Sequence, residues 1–104
     1  MKFYIAIPVY KAEAFLSECV SSVLSQTCQD FEIVLVDDGS PDGSGRLCDE
    51  FAARDGRIHA IHQKNTVPYG ARRTAIHFIL DHGSPEDRAV FLDADDSLKP
   101  EALE

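Results

Sequence analysis

A chain of 104 residues with 44% hydrophobic and 27% charged side chains has the size and make-up of one globular domain. Its 18 acidic residues outnumber its 10 basic ones, for a net charge of −8. That is the wrong sign for unaided attraction to nucleic acid or to an anionic membrane face, so an anionic ligand requires a local reversal of charge.

Residues 3–9, FYIAIPV, form a short continuous apolar run, as expected of a strand covered on both faces. Pro8, Lys11 and Glu13 break the N-terminal stretch too early for a secretory leader to be expected. Residues 12–26, AEAFLSECVSSVLSQ, set Phe15, Leu16, Cys19, Val20, Val23 and Leu24 on one stripe at helical spacing. FEIVLVDD, residues 31–38, is a second buried strand that stops at Asp37 and Asp38. GSPDGSG, residues 39–45, reads as loop, since each of its residue types favours turns. A second helix is expected over 46–54 and a modest strand over RIHAIHQ, 57–63. GARRTAIHFILDH, 70–82, carries Ala75, Ile76, Ile79 and Leu80 as another helical stripe, and AVFL, 89–92, is a fourth strand.

Strands alternating with helices predict parallel pairing and a three-layer α/β/α sandwich. No stretch is long enough to span a bilayer, and no linker or repeat divides the chain. Cys19, Cys28 and Cys48 are odd in number and lack C-x-x-C spacing, which predicts free buried thiols in a reducing, cytoplasmic compartment. His59, His62, His77 and His82 show no ligand spacing and receive no site role.

In open parallel sheets ligands bind beyond the carboxyl ends of the strands. Tyr10, Asp37, Asp38, Asn65, Asp93 and Asp95 all follow predicted strands, so all are expected on one rim. The stretch AVFLDADDSLKP, residues 89–100, packs Asp93, Asp95 and Asp96 into four positions. Aspartates two apart on a chain that turns direct their oxygens to one side. Mg²⁺ and Mn²⁺ take such hard oxygen ligands and are often completed by substrate phosphates. A cation held there reverses the charge of the rim and admits a diphosphate. The same aspartates also read as turn formers and as the N-cap of a helix in SLKPEALE.

Along nearly its whole length the chain resembles the family 2 glycosyltransferases of the GT-A fold. The resemblance rests on IPVYKAEAFLSECVSSVLSQTCQDFEIVLVDDGSPDGSGRLCDEFAARDGRI, then ARRTAI, then FLDADDSLKPEAL. The family pattern has an I-P-V-Y-N start, a helix ending S-x-x-x-Q-T, a strand ending V-D-D-G-S, an A-R-N segment and D-x-D-D. It implies a truncated, Rossmann-like GT-A fold in which residues 1–104 are the single nucleotide-sugar-binding domain, the N-terminal part of a longer enzyme. The implied activity is metal-dependent, inverting transfer of a sugar, of the hexosyltransferase type, from a nucleotide-diphosphate sugar. UDP-sugar is the expected donor, and a glycan or lipid-linked hydroxyl the acceptor. By the same resemblance Tyr10 stacks on the base beside Pro8, and Asp38, with Asp37, accepts the N3 proton of uracil. Arg72 contacts a phosphate or braces the acidic loop. Asp95 coordinates Mn²⁺ or Mg²⁺, and Asp93 joins it directly, through a water, or through a ribose hydroxyl. Asp96 coordinates instead or caps the helix that follows. The family's general base lies beyond the D-x-D segment, and eight residues follow Asp96 here. The implied reading is therefore donor binding without a catalytic residue, in the cytoplasm, with the inner membrane face reached through further regions.

The chain also departs from that pattern. Lys11 stands where the pattern has Asn, which removes a side-chain cap at the first helix. NTVPYGARR replaces N-G-G-L-S-x-A-R-N, so Thr66 and Val67 take the place of glycines and Arg73 that of Asn, which leaves the donor sugar open. Two other likenesses are shorter. AVFLDADDSL looks like the haloacid dehalogenase phosphatase signature, with Asp93 as nucleophile and Asp95 as acid and base. That motif normally opens its domain. IVLVDDG resembles the acidic pocket of receiver-type signalling modules, which need a lysine after a later strand, where Lys99 is poorly placed.

Overall fold

In the computed structural model, which describes residues 2–64, 70–100 and 102–103, strands and helices alternate along the chain as the periodicity predicts. They are β1 (Phe3–Val9), α1 (Leu16–Leu24), β2 (Phe31–Asp38), α2 (Ser44–Arg54), β3 (Ile58–Gln63), α3 (Gly70–His82) and β4 (Arg88–Phe91). The sheet order is β3-β2-β1-β4, with every neighbouring pair parallel. β1 and β2 lie in the middle and are covered on both faces, which is why they read as unbroken apolar runs. The edge strands carry a weaker signal because water reaches them: Arg88, Ala89 and Phe91 of β4 are exposed.

Alternation along the central strands divides the core in two. Ile5, Ile7, Val9, Ile33 and Leu35 face α1 and α2, where they meet Leu16, Cys19, Val20, Val23, Cys48 and Phe51. Tyr4, Ala6, Val34 and Val36 face α3, against Ala71 and Ala75. This is the expected three-layer α/β/α sandwich.

Two helical stripes differ from expectation. α1 begins at Leu16 rather than residue 12, so Phe15 becomes its N-cap residue, with φ −119° and ψ −21°, and is 53% exposed. α3 buries Ala71 and Ala75 and packs Phe78 and Ile79, whereas Ile76 and Leu80 are 44% and 73% exposed. The small alanines let the helix lie close to a sheet face already filled by Tyr4 and two valines. Fit at the close approach therefore sets the rotation of the helix, and the larger aliphatics are left outside. The three cysteines are free; Cys19 and Cys48 are buried and Cys28 is half-buried. Among the described residues no helix is long and apolar enough to cross a membrane.

Lys11 offers no side-chain cap, α1 has none at Phe15 either, and the β2–α2 loop with the first residue of α2 instead holds the backbone just ahead of the helix. Ser40 Oγ accepts from the Lys11 N–H at 3.3 Å, Ser44 Oγ from Ala12 at 2.9 Å and Asp42 Oδ2 from Glu13 at 3.4 Å. In return Glu13 Oε1 accepts from the Gly43 N–H at 3.1 Å. The S-x-x-x-Q-T ending of α1 has an equally physical role. Gln26, 2% exposed, donates to the Lys99 carbonyl at 2.6 Å and accepts from the Leu103 N–H at 3.2 Å. Ser22 Oγ accepts from Leu98, and Thr27 donates its N–H to Pro100. The segment after the acidic cluster is thus tied to α1. It forms turns and irregular backbone there, and the helix expected after Asp96 is not found among the described residues.

Because Leu35 is fully buried and Leu80 is largely exposed, the two leucines are expected to respond oppositely to truncation. Leu35→Ala should cost about 2–5 kcal/mol in urea unfolding, and Leu80→Ala no more than about 0.5 kcal/mol. Equal losses would contradict this placement of α3.

Candidate functional site

β1 pairs with β4 only from Phe3 to Ala6, and with β2 from Phe3 to Val9. One further bond, from the Leu92 N–H to the Ala6 carbonyl at 3.0 Å, closes the β4 side. That bond also shows that Ala6 turns its backbone groups toward β4. Pro8, two residues on, points the same way, where β4 has already turned off. A proline is tolerated in this central strand because no ladder bond is required of it there. Beyond that point lies a cavity of about 440 Å³. It stands where the order of strands reverses around β1, the position at which open α/β sheets bind ligands.

Pro8, Tyr10, Asp38, Arg72, Asp93 and Asp95 all line this cavity. Asp37, also expected on the rim, does not. Alternation turns it to the α2 side of the sheet, and Asn65, with Thr66 and Val67, lies outside the described residues. Asp37 Oδ1 accepts from the Ser40 N–H at 3.0 Å and Oδ2 meets His62 Nδ1 at 2.9 Å. Gly45 permits this, since a Cβ there would stand 2.6 Å from Asp37 Oδ2. His62 Nε2 reaches Asp49 Oδ1 of α2 at 2.7 Å. Burial disfavours the charge on Asp37, but the bonds from His62 and Ser40 outweigh it and hold the carboxyl below its ordinary range. The bonds to Asp49 and Asp37, opposed by partial burial, raise the His62 pKa above its ordinary 6.5.

Asp38 faces the α3 side and is only 8% exposed. Gln63 Nε2 donates to its Oδ1 at 3.0 Å, and Gln63 Oε1 accepts from the Thr74 hydroxyl on α3. A carboxylate can only accept, so the amide orientation is fixed by chemistry. β3 and α3 together thus orient the one aspartate of this pair that reaches the cavity.

The acidic segment is a turn in which the Asp96 N–H donates to the Asp93 carbonyl at 2.9 Å. Leu92 and Ala94 are buried and pin the turn, while Asp93, Asp95 and Asp96 are exposed. From beneath, the Cys19 thiol reaches the Asp93 carbonyl at 3.6 Å. Burial, then the nearby Asp96, Asp95 and Asp93, push this thiol up to about 12, so it remains a protonated donor. One carboxylate oxygen from each of the three aspartates lies within 4.8 Å of the others. Exposed hard-oxygen donors at that spacing fit a hydrated divalent cation such as Mg²⁺ or Mn²⁺. Across the cavity Arg72 lies 5.6 Å over the Phe91 ring of β4.

Phe15 and Lys11 also line this wall, where no motif points to them. Hydropathy places Phe15 on the apolar stripe of α1, and only the start of the helix at Leu16 frees it. His62 and the Gln63–Thr74 pair carry no motif at all; their link to the aspartates exists only once β3 and α3 are paired and packed.

The family model described as Glycosyl transferase family 2 matches residues 4–104. The uncharacterized glycosyltransferase EpsJ of Bacillus subtilis is 49% identical over 72 residues, 69% of this chain and 21% of that protein. The glycosyltransferase GlyA of Streptococcus pneumoniae is 36% identical over 103 residues, 99% of this chain and 14% of that protein. The crystal structure of S. aureus TarS 1-349 in complex with UDP superimposes with a TM-score of 0.81 at 26% identity, over 99% of this chain and 30% of that one. Its complex with UDP-GlcNAc gives 0.78 at 26% identity, over 99% and 29%. The chain therefore spans less than a third of each of these relatives.

The His62 bridge makes a pH-dependent contribution to stability whose sign follows from its raised pKa. A His pKa raised on folding stabilises fully below the unfolded value of 6.5 and loses that effect as pH rises through the folded value. Asp37, shifted down, contributes above its ordinary 3.8 and loses its effect as pH falls through the folded value. Thermal melting should thus favour wild type over His62→Gln at about pH 6, with the two converging by about pH 9. A difference of the same size at both pH values would mean that the charged bridge is not its source.

Proposed function

The chain belongs to glycosyl transferase family 2, and on that premise we propose that residues 1–104 form its donor-binding domain, holding a nucleotide-diphosphate sugar of the UDP class in the β1–β4 crevice. The observation that carries this reading is the convergence of an aromatic ring, a fixed carboxylate, an arginine and the acidic turn on one cavity. At about 440 Å³ it has the size of a small-ligand site. Tyr10, 46% exposed, offers a flat apolar face to the base. Asp38, oriented by Gln63 and Thr74, accepts the N3 proton of uracil, a bond adenine cannot supply in the same place. Arg72 offers forked donors to a phosphate.

Asp95 and Asp93 are the ligands we assign to Mg²⁺ or Mn²⁺, with Asp96 within reach. When bound, such a cation supplies the positive charge that a diphosphate and its leaving phosphate require. The chain's own part is to bind and orient: Cys19 and Gln26 fix the acidic turn from below and behind, and Asp38 sets the base. Inverting transfer to a glycan or lipid-linked hydroxyl also needs a general base and an acceptor surface, and no described residue is assigned either role. Three free thiols suit a reducing, cytoplasmic compartment. The complexes of TarS with UDP and UDP-GlcNAc support the choice of donor class.

UDP should bind about tenfold or more tightly with Mn²⁺ than with chelator, and Asp95→Asn should remove most of that difference. Calorimetry that returns one UDP affinity under both conditions would end the metal-dependent reading.

UDP should also compete better than ADP, and Asp38→Ala should narrow the preference by about tenfold, since a site built to pair a polar edge loses discrimination with its partner group. ADP ranking level with UDP on the unmutated protein would count decisively against this assignment of Asp38.

A further inference from the structure

Among the described residues Lys11 is the one non-glycine with positive φ, at 51°. That region suits glycine and asparagine and disfavours a long side chain with an ordinary Cβ. The backbone around it is held by groups other than the lysine side chain. The Lys11 N–H donates to Ser40 Oγ, and Ser40 in turn donates its hydroxyl to the Val9 carbonyl and its N–H to Asp37. The next N–H, that of Ala12, is held by buried Ser44. The kink is thus imposed by the β2–α2 loop, and a residue better suited to it would meet the same bonds.

The side chain, by contrast, sits on the functional wall. Lys11 lines the cavity together with Asp38, Asp93 and Asp95, and its Nζ lies 5.4 Å from the Tyr10 ring centroid. Among the described residues it forms no ion pair, although the chain holds 18 carboxylates. An ammonium with no carboxylate partner among the described residues, lining a cavity that carboxylates also line and carried on a backbone that disfavours it, is placed to meet an anion arriving from outside.

We propose that Lys11 is a donor-binding residue whose ammonium engages the phosphates of a nucleotide whose base lies at Tyr10. This rests on the donor-site reading above and extends it to a second cationic side chain, entering from the segment after β1 where Arg72 enters from α3. Its charge acts on the phosphates and leaves the base contact untouched, so its removal should be felt by a nucleoside diphosphate and not by the nucleoside.

The test is calorimetry of UDP and of uridine, with Mn²⁺ present, on wild type, K11N, K11G and K11R, alongside thermal melting. K11N and K11G should melt at or above the wild-type temperature, because both relieve the positive φ. Both should bind UDP about 5- to 10-fold more weakly, the loss of one charge-assisted contact, with uridine unchanged. K11R, which keeps the charge, should stay close to wild type for UDP. Unchanged UDP affinity in K11N and K11G, an equal loss for uridine, or K11R no better than K11N would each overturn the proposal. Should K11N fold poorly, K11G against K11R decides the question alone. Wild-type protein that binds neither ligand would instead overturn the donor-site reading itself, whereas wild-type binding of UDP with indifferent variants would remove only the role of Lys11.

Discussion

β1 is hydrogen-bonded on both sides as far as Ala6 and on one side beyond it, and the cavity stands at that change. A central strand that loses a partner leaves a gap at the carboxyl edge, and parallel pairing guarantees that the other strand ends open on the same edge. Tyr10, Asp38 and the acidic turn come to one edge for that reason. They are separated by up to 85 residues of sequence and share only the property of standing at or just past the end of a strand. Pro8 strengthens the arrangement, because a residue with no N–H cannot invite another strand into the gap.

Besides α3 and the strand ends, two loop segments wall the gap, and loops need partners for their backbone groups. Here each is tied to another element. Ser40 and Asp42 of the loop after β2, with Ser44 at the start of α2, accept from the Lys11, Glu13 and Ala12 N–H groups between β1 and α1, and Glu13 in turn accepts from Gly43. The segment after the acidic turn is tied to the end of α1 by Ser22, Gln26 and Thr27. α1 therefore fixes both loop segments: its N-terminal approach positions Tyr10 and Lys11, and its last turn positions the aspartates. A side chain such as Gln26, far from the cavity, matters to the site through backbone carbonyls and not through charge.

Much of this was legible in the sequence. The four strands, the three helices and their parallel layering follow from apolar runs and helical spacing, because β1 and β2 are buried on both faces and read without interruption. The rim residues were legible because strand ends are. What escaped were features decided by packing shape. Ile76 and Leu80 look like core by hydropathy, yet the close approach of Ala71 and Ala75 to the sheet turns them outward. Phe15 reads as part of the α1 stripe, yet a turn in which Phe15 and Leu16 donate to the Ala12 carbonyl starts that helix at Leu16. Asp37 and Asp38 looked alike, and pleat parity alone, with period two, sends them to opposite faces. The reach of His62 to Asp37 and of Gln63 to Asp38 depends on the register between β2 and β3, which no local pattern encodes.

Burial sorts the acidic residues into two kinds. Asp37 and Asp38 are buried, and their charge is carried by His62, Ser40 and Gln63. A buried carboxylate without such partners would cost several kcal/mol, so these contacts are a condition of the fold. Asp93, Asp95 and Asp96 are exposed, and among the described residues no hydrogen bond is made to their side chains. In water two unit charges about 4 Å apart repel by only about 1 kcal/mol, which a folded domain tolerates. Solvent exposure is thus what allows three like charges to stand together, and it is also what leaves their oxygens open to a ligand from outside. A binding site of this kind has to be assembled from exposed groups held by buried ones. Leu92, Ala94 and Cys19 do the holding here, and the aspartates between them are left for chemistry.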